Sequence, residues 1–421
     1  MLVDVDLLRR RRDLRLLLLG QGVSFFGSDI TLVALPVQMY LLTHSTVAVG
    51  LVGAAEFVPV LALPLAGGAL ADAFDRRRLI QLAEGGGLLT ALALAVNAAL
   101  PDPRTWVLYV AAALFAACIA LGRPPLDSLL PRLVDRSELP AASAIQGGIT
   151  NAGSLAGPAL GGVLIASAGV SVTYLADAAT FAVSLVALSR MRTPPPPPDA
   201  DPPSVRGVIE GVRFAGSRQE LIGTYLVDMN AMFFAMPEAL FPAVAERHGG
   251  PGVAGLLFAA PAAGALVLSL FSGWTRRVRR HGAAVVLAAS GWGAAIAVFG
   301  LAGPLWLALA ALAVAGAMDM VSGIFRSTIW NEVVPDRLRG RLAGMEMISW
   351  ASGPTLGNTE AGFAAALVGL RASIVAGGVL CVAGSLALAA ALPRFWRYES
   401  DAAAVSGVEP EPPLAASHPH L

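Results

Sequence analysis

Five acidic residues lie deep inside long apolar stretches of the sequence, and they are Asp29, Glu56, Asp228, Asp319 and Glu346. A charged side chain at the centre of a bilayer costs roughly 3 kcal/mol on insertion scales, so such a residue usually faces a cavity or a partner. Loss of hydration favours the protonated form of a carboxyl group, which makes proton binding and release the chemistry to expect. The alternative for each residue is a neutral carboxyl group that hydrogen-bonds one helix to another.

Asp29 ranks first as a proton-coupling or substrate-binding residue, because Gly27-Ser28-Asp29 interrupts the first apolar stretch. Asp228 and Asn230 rank next, since they stand in the corresponding stretch of the second half of the chain. The arginines stand mostly at the ends of apolar stretches, so we expect the intramembrane carboxyl groups to lack fixed cationic partners. The aromatic residues available to stack on an aromatic substrate are Phe25, Phe26, Trp292, Phe325, Trp330 and Trp350. Packing or interfacial anchoring in the membrane explains each of them at least as well.

The other reactive residue types predict no metal, cofactor or enzyme site. The five histidines lie in predicted loops and in the C-terminal tail, and no pair has the spacing of zinc ligands on a helix. Cys118 and Cys381 are single residues inside apolar stretches, which is typical of packing in lipid. No phosphate-binding loop of the Walker type occurs, so ATP is not expected as the direct energy source.

The composition predicts an all-α integral membrane protein. Of the 421 residues, 56% are hydrophobic and 14% are charged, a balance that no water-soluble fold tolerates. A bilayer core about 30 Å thick needs roughly 20 apolar residues per helix. Twelve such spans are predicted, at 15–42, 47–71, 79–100, 104–126, 138–168, 171–189, 219–246, 251–274, 282–302, 304–330, 338–368 and 371–393. The charged start of the chain is unlike a cleaved signal peptide, so the first span should be retained.

The distribution of arginine predicts the orientation in the membrane. The sequence has no lysine, so all 29 basic residues are arginine, and basic residues that flank spans stay on the cytoplasmic side. With the N-terminus inside, only Arg104, Arg247 and Arg371 fall outside. Both termini are therefore predicted to be cytoplasmic, in a bacterial inner membrane. The net charge of zero carries no information about partners, and the basic residues are expected at the cytoplasmic membrane surface rather than in a nucleic-acid-binding patch.

A proline-rich segment between the sixth and seventh spans divides the chain into two halves. It reads RMRTPPPPPDADPPSVRG, which cannot form a helix and is predicted to be an extended cytoplasmic strap. The junction around Arg123 is echoed around Arg326, and such internal similarity of six-helix halves is found in many secondary transporters. The predicted units are an N-terminal bundle at 1–190, the linker at 191–216, a C-terminal bundle at 217–394 and a disordered cytoplasmic tail at 395–421.

The loop after the second span carries a family signature. Residues 68–78 read GALADAFDRRR and resemble the loop 2–3 signature of the major facilitator superfamily, which has a glycine, an aspartate four residues later and a basic cluster. Ala73 stands where a basic residue is common, and Asp75 stands where glycine is common. The resemblance implies the major facilitator fold, with twelve transmembrane helices in two pseudo-symmetric halves of six.

The same resemblance implies a cytoplasmic gate made of Gly68, Asp72, Arg76, Arg77 and Asp127. Asp72 would cap the N-terminal end of helix 11, where the helix dipole favours an anion. Arg76 would reach Asp127 near the inner end of helix 4, and together these contacts would close the cytoplasmic side in the outward-open state. The plainer interpretation is that the arginines only enforce the topology.

Small residues recur in the fifth span. Gly153, Gly157 and Gly161 are spaced by four residues, with Pro158 and Gly162 beside them. This spacing lets another helix approach closely, and the proline favours a kink, so we expect a helix-packing motif. The run GSLAGPALGG at 153–162 also resembles the signature of the exporter branches of the superfamily, which implies export.

A closer resemblance extends over nearly the whole chain. The runs LPVQ at 35–38, LTHST at 42–46, VGL at 49–51, NAALP at 97–101 and GVRF at 211–214 are similar to those of bacterial enterobactin exporters. The resemblance implies proton-driven export of a siderophore of the enterobactin type by alternating access. The alternative is a macrolide or multidrug efflux transporter, because those exporters share much of the pattern. The partners implied are a small-molecule substrate, protons and membrane lipid, and we expect a monomer.

Overall fold

The computed structural model of the protein describes residues 6–73, 75–192 and 213–400, and it describes only the backbone at 64–73, 272, 276, 336, 337, 339–341 and 343–351. Twelve long helices occupy the twelve predicted spans. They are α1 (Arg12–Thr43), α2 (Thr46–Ala73), α3 (Arg76–Ala99), α4 (Thr105–Leu129), α5 (Leu139–Ala168), α6 (Val170–Ser189), α7 (Gln219–Phe234), α8 (Pro251–Leu270), α9 (His281–Leu301), α10 (Leu305–Val333), α11 (Asp336–Val368) and α12 (Leu370–Ala391). Within the described residues, ten helices are long and apolar enough to cross a membrane by length and composition. The prediction of an all-α membrane fold is confirmed.

The seventh span was predicted as one helix at 219–246, and this was wrong because the helix is broken. After α7 come a 3-10 turn at Glu238–Leu240 and a short helix at Phe241–Glu246. Pro237 has no N–H group to donate and disfavours the helical conformation of the residue before it. The break is stabilised by two hydrogen bonds, from Trp292 Nε1 to the Ala235 carbonyl oxygen at 3.1 Å and from the Ala239 N–H to Asn358 Oδ1 at 2.9 Å.

Successive long helices run in alternating directions, so the bundle has two distinct ends. We call the end that carries the start of α1 and the end of α12 the terminal end. The opposite end, which carries the α1–α2, α3–α4, α5–α6, α7–α8, α9–α10 and α11–α12 junctions, is the distal end. These two names describe the bundle without reference to the sides of a membrane.

The helices pair in the same way in both halves, as expected for a repeated fold. In the first half α1 packs on α5 and α6, α3 packs on α4 and α6, and α2 packs on α4. In the second half α7 packs on α11 and α12, α9 packs on α10 and α12, and α8 packs on α10. Gly169 and Gly369 follow α5 and α11 with φ of 85° and 89°, a conformation that favours glycine. The two halves of six helices therefore share one architecture.

The halves meet mainly through two helix pairs, α2 with α11 and α5 with α8. Near the distal end, Thr46 Oγ1 donates a hydrogen bond to the Gly362 carbonyl oxygen at 3.0 Å. The Tyr40 hydroxyl donates to Glu246 Oε2 at 3.0 Å across the same interface, and His44 Nδ1 lies 3.7 Å from Glu246 Oε1. The distal end is therefore closed by contacts between the halves.

The end of the chain is packed further than the sequence predicted. The tail was expected to be disordered from residue 395, but a short helix at Pro393–Trp396 follows α12. Phe395 is fully buried between Gly223 of α7 and Gly282 of α9, and Arg280 pairs with Glu399 at 3.0 Å. Most of the predicted linker, at 193–212, and the rest of the tail, at 401–421, lie outside the described residues. The boundaries of the predicted units stay predictions.

Candidate functional site

A cavity of about 340 Å³ lies between the two halves. Helices α1, α2 and α4 line it from the first half, and α8, α11 and the turn at Glu238–Leu240 line it from the second. Ligand pockets in proteins are concave, mostly apolar and about 300–1,000 Å³ in volume. The cavity therefore has the place and the size of a site for a small molecule.

Two carboxyl side chains line the cavity, and each comes from a different half. Glu56 belongs to α2 and was predicted from the sequence, whereas Glu238 belongs to the broken seventh span and was missed. The same wall contains Arg123 of α4, whose guanidinium pairs with Asp127 at 3.1 Å. The rest of the lining is largely apolar. The sequence signal for Glu238 was the pair of prolines at 237 and 242, because non-helical backbone at membrane depth usually lines a cavity.

Aromatic side chains also line the cavity, but they are not those chosen from the sequence. Phe115 and Phe258 are in the lining, and each is supported by a second ring, Phe181 at a centroid distance of 6.0 Å and Phe241 at 4.9 Å. The lining includes none of the six aromatic residues proposed above whose side chains are described. Trp292, for example, is buried and donates a hydrogen bond that stabilises the break after α7.

Asp29 lies against α5 rather than in the cavity lining. A methyl group built on Gly157 would lie 2.6 Å from the Asp29 Cβ, so glycine is needed for this approach. Asp29 Oδ2 is buried and has no hydrogen-bond partner among the described residues. A nearby acid that the sequence reading missed is Asp177 of α6, which is fully buried and accepts a hydrogen bond from Thr31 Oγ1 at 2.5 Å.

Asp228 and Asp319 share a cationic partner, contrary to the sequence expectation. Arg326 of α10 forms an ion pair with Asp228 of α7, and its Nη2 lies 3.7 Å from Asp319 Oδ1. The prediction failed because arginines were expected mostly at helix ends, whereas Arg326 lies inside α10, which continues to Val333. Its side chain therefore starts within the helix, and side chains on a helix tilt towards the N-terminus.

Two other candidates are placed less directly. Asn230 Nδ2 donates to the Cys381 carbonyl oxygen at 2.9 Å and to Ser385 Oγ at 3.1 Å, so in this conformation it joins α7 to α12. The side chain of Glu346 lies outside the described residues. No group of three or more His, Cys, Asp or Glu side chains that could hold a metal ion occurs in the described part of the chain.

The proposed cytoplasmic gate is described only in part. Gly68 and Asp72 are described by their backbone only, so the position of the Asp72 carboxyl group stays a prediction. Arg77 Nη2 donates to the Ser189 carbonyl oxygen at 2.6 Å, which ties the start of α3 to the end of α6. Asp127 pairs with Arg123, one turn earlier on α4. The contact of Asp127 with Arg76 stays a prediction.

The glycine motif of α5 packs on two neighbours at once. Gly153, Gly157 and Gly161 lie against α1 in the same half. Gly162 lies against α8 of the other half, where a methyl group built on it would be 2.8 Å from the Gly255 Cα. The fifth residue of the motif, Pro158, presents its carbonyl oxygen to Gly255. The motif therefore serves the packing within one half and the contact between halves.

Comparison with known proteins adds family evidence to this geometry. The family model described as transmembrane secretion effector, of the MFS group, matches residues 9–418. The enterobactin exporter EntS of Citrobacter koseri is 32% identical over 393 residues, which cover 91% of this chain and 93% of the exporter. The enterobactin exporter EntS of Escherichia coli O139:H28 is 32% identical over 395 residues, which cover 92% of this chain and 94% of that protein.

Solved transporter structures share the fold at low sequence identity. A bacterial homologue of the human lysosomal transporter Spinster matches with a TM-score of 0.73 and 16% identity over 93% of this chain and 99% of the homologue. The nucleoside transporter NupG matches with a TM-score of 0.72 and 13% identity over 92% of this chain and 99% of its own. At this identity the likeness concerns the fold alone.

Proposed function

Because the chain belongs to the transmembrane secretion effector family of MFS transporters, we propose that this multi-pass transporter exports a siderophore of the enterobactin type by proton-coupled alternating access. The relatives named enterobactin exporter, at 32% identity over nine-tenths of the chain, support the substrate class. The cavity between the halves supports the mechanism, because alternating access needs a site that both halves share.

The observation that carries the proposal is the placement of Glu56 and Glu238 in one cavity, on opposite halves. A carboxyl group there accepts either a proton or a hydrogen bond from the substrate. Two carboxylates in an apolar cavity repel each other and lose hydration, so the empty site favours protonation. Binding of a substrate with hydrogen-bond donors would then release protons, and this competition is the basis of antiport.

The chemistry of a catecholate siderophore fits this lining. Each catechol ring carries two hydroxyl donors that suit carboxylate acceptors, and its aromatic face suits Phe115 and Phe258. Both phenylalanines are held by a second ring, so the aromatic surface is largely pre-formed. Pre-formed sites lose less entropy when a ligand binds.

The direction of loading follows from the arginine distribution. The basic residues concentrate at the terminal end, which we assign to the cytoplasm. The distal end, closed by the contacts of Tyr40 with Glu246 and of Thr46 with Gly362, would then face the periplasm. In this conformation the site would be loaded from the cytoplasm, as an exporter requires.

A second candidate function is efflux of lipophilic cations, the multidrug alternative. The same two carboxyl groups in an apolar wall favour it, because such a site suits a cation with an apolar body. The two candidates differ in one respect that can be measured. A siderophore would be retained inside producing cells that lack an exporter, whereas drug resistance would change in cells that make no siderophore.

The test is secretion from a siderophore-producing strain that lacks its own exporter. Intact siderophore in the medium is quantified by chromatography for the wild-type chain, an empty vector, Glu238→Gln and the surface control Glu399→Gln, which removes a carboxylate paired with Arg280. We expect secretion with the wild type and the control, and loss with Glu238→Gln. No secretion despite membrane insertion, together with resistance to cationic drugs, would favour the multidrug alternative.

A further inference from the structure

One guanidinium serves two carboxyl groups in the second half. Arg326 pairs with Asp228 on the neighbouring helix α7 and lies 3.7 Å from Asp319 on its own helix α10. Its Nε is buried and has no hydrogen-bond partner among the described residues. The cation is therefore not saturated by its two partners, and its position depends on how strongly each carboxyl group attracts it.

The two carboxyl groups differ in their access to solvent. The Asp228 side chain is 6% exposed, whereas the Asp319 side chain is 46% exposed. Asp319 lies on the same face of α10 as the buried residues Leu312, Ala315 and Ser322, and not on the side of Val314, which is 52% exposed. The exposure of Asp319 is therefore towards the interior of the bundle, where water and protons can enter a transporter.

The net charge of the cluster formed by Asp228, Asp319 and Arg326 favours the binding of one proton. With all three groups ionised the net charge is −1, and an uncompensated charge in a buried site is costly. One proton makes the cluster neutral. Because Arg326 binds the buried Asp228 more closely, the proton is expected on the exposed partner, Asp319. Coupled groups of this kind take up protons as a unit.

The other ionisable residues on α7 and α10 and on the helices packed against them can be read from the sequence. Helix α8 has none, α9 has only His281 at its terminal end, and α12 has Arg371 at its distal end and Cys381. On α7 the remaining groups are Glu220 and Tyr225, and on α10 the remaining acid is Glu332, near the terminal end. Helix α11 carries Glu360, and its other charged residues have side chains outside the described part of the structure. The close pairs recorded for Asp228 and Asp319 are both with Arg326.

The corresponding arginine of the first half has a different arrangement. Arg123 of α4 pairs with Asp127, one turn away on the same helix, and both side chains are about half exposed. Asp29, which stands on α1, the helix that corresponds to α7, has no ion pair within the described part of the chain. The bridging arrangement between two helices is thus a property of the second half.

We propose that Asp319 is a proton site of the transport cycle and that Arg326 is the positioning residue that keeps Asp228 ionised and directs the proton to Asp319. This inference rests on the proposed proton coupling and adds a site outside the substrate cavity. When Asp319 takes up a proton, Arg326 is left to Asp228 alone. When the proton leaves, Arg326 interacts with both carboxylates again, and its attraction to Asp228 on α7 becomes weaker. Helix α7 leads directly into the turn that carries Glu238, so the cluster is placed to influence the substrate site.

The first test needs no substrate. Infrared difference spectra of the purified full-length protein in lipid nanodiscs would follow the protonated carboxyl band during a pH titration. We expect Asp319→Asn to remove one titrating carboxyl component, while the control Asp102→Asn, which changes an exposed loop acid paired with Arg104, keeps it. Arg326→Met should increase the protonated carboxyl signal at neutral pH, and Arg326→Lys should restore the wild-type titration. An unchanged titration in Asp319→Asn would overturn the proposal.

The second test separates proton coupling from substrate binding. In proteoliposomes, exchange of labelled for unlabelled enterobactin needs no net proton movement, whereas uphill transport does. Asp319→Asn is expected to keep exchange and to lose the acceleration of net transport by a pH gradient. Retained gradient-driven transport would contradict the assignment. If the wild type does not exchange enterobactin, the proposed substrate is wrong, and the infrared titration still decides the proton site.

Discussion

Addition of a single methyl group at Gly162 should open the distal end of the transporter. In Gly162→Ala the new Cβ would lie 2.8 Å from the Gly255 Cα and 2.9 Å from the Gly252 carbonyl oxygen. Carbon atoms in ordinary contact are about 3.5–4.0 Å apart, so α5 and α8 must separate by about 1 Å. Both neighbours are backbone atoms, and no flexible side chain can move away to relieve the overlap.

The size of the effect follows from the cost of overpacking. Inserting a methylene into a packed interface costs about 1–3 kcal/mol, and about 1.4 kcal/mol corresponds to a tenfold change in an equilibrium constant. The strain exists only while α5 and α8 are in contact. The equilibrium between the open and closed distal end should therefore shift towards the open form by roughly 5- to 150-fold.

The assay is thiol labelling at Val49, which is 2% exposed and lines the cavity on α2. Val49→Cys is introduced after replacement of Cys118 and Cys381, and a membrane-impermeant maleimide is added from the side of the distal end. The labelling rate should rise in Gly162→Ala. The matched control is the adjacent Gly161→Ala, whose new methyl would lie 3.1 Å from the Ile30 carbonyl oxygen within the same half.

The control separates opening from general destabilisation. Gly161→Ala should lower thermal stability but leave the labelling rate near that of the parent, because the strain does not lie between the halves. Equal labelling of Gly162→Ala and its parent, with both proteins folded, would refute the idea that the α5–α8 contact helps to close the distal end. Equal labelling of the two alanine variants would refute the assignment of the two faces of α5.

Three further outcomes are expected. Tyr40→Phe removes the hydrogen bond to Glu246 across the interface. Because a hydrogen bond contributes about 0.5–1.5 kcal/mol, the rate of thiol labelling from the distal end should rise by at most about tenfold. A larger rise would mean that Tyr40 stabilises the closed end by more than this hydrogen bond. Phe395→Ala removes a fully buried side chain and should lower the free energy of unfolding by about 3–5 kcal/mol. The measurement is thermal unfolding in detergent. An unchanged midpoint would show that the segment around Phe395 does not pack against α7 and α9. Asp29→Asn should abolish pH-driven transport in vesicles while leaving folding intact, and unchanged transport would remove Asp29 from the mechanism.

Much of the fold could be predicted because each span is a continuous apolar run. Apart from the seventh span, the predicted ends agree with the helices to within about four residues, since hydrophobic length is imposed by the bilayer. The seventh span was misread because apolar composition continues through 235–240, where the backbone leaves the helix. Pro237 was the local signal. The hydrogen bonds from Trp292 and to Asn358 that make the break stable are long-range, and sequence alone does not reveal them.

The candidate site was predicted less completely than the fold. Glu56 was found because an acid in an apolar run is conspicuous, whereas Glu238 was hidden in a span whose break was not recognised. The partner of Asp228 was missed because pairing depends on which faces of α7 and α10 meet, and helix periodicity alone does not determine this. The glycines of α5 were recognised as packing residues, but their two different neighbours, α1 and α8, are a property of the assembled bundle.

The most direct test of the proposed function is uphill transport of enterobactin in inside-out membrane vesicles with an acidic interior. Proton flow out of these vesicles corresponds to proton entry into the cell, so export appears as accumulation inside the vesicle. We predict that the wild-type chain accumulates labelled enterobactin, that a protonophore abolishes the accumulation, that Glu238→Gln lacks it and that Glu399→Gln keeps it. Accumulation no greater than in vesicles without the protein, or accumulation that persists with the protonophore, would contradict proton-coupled siderophore export.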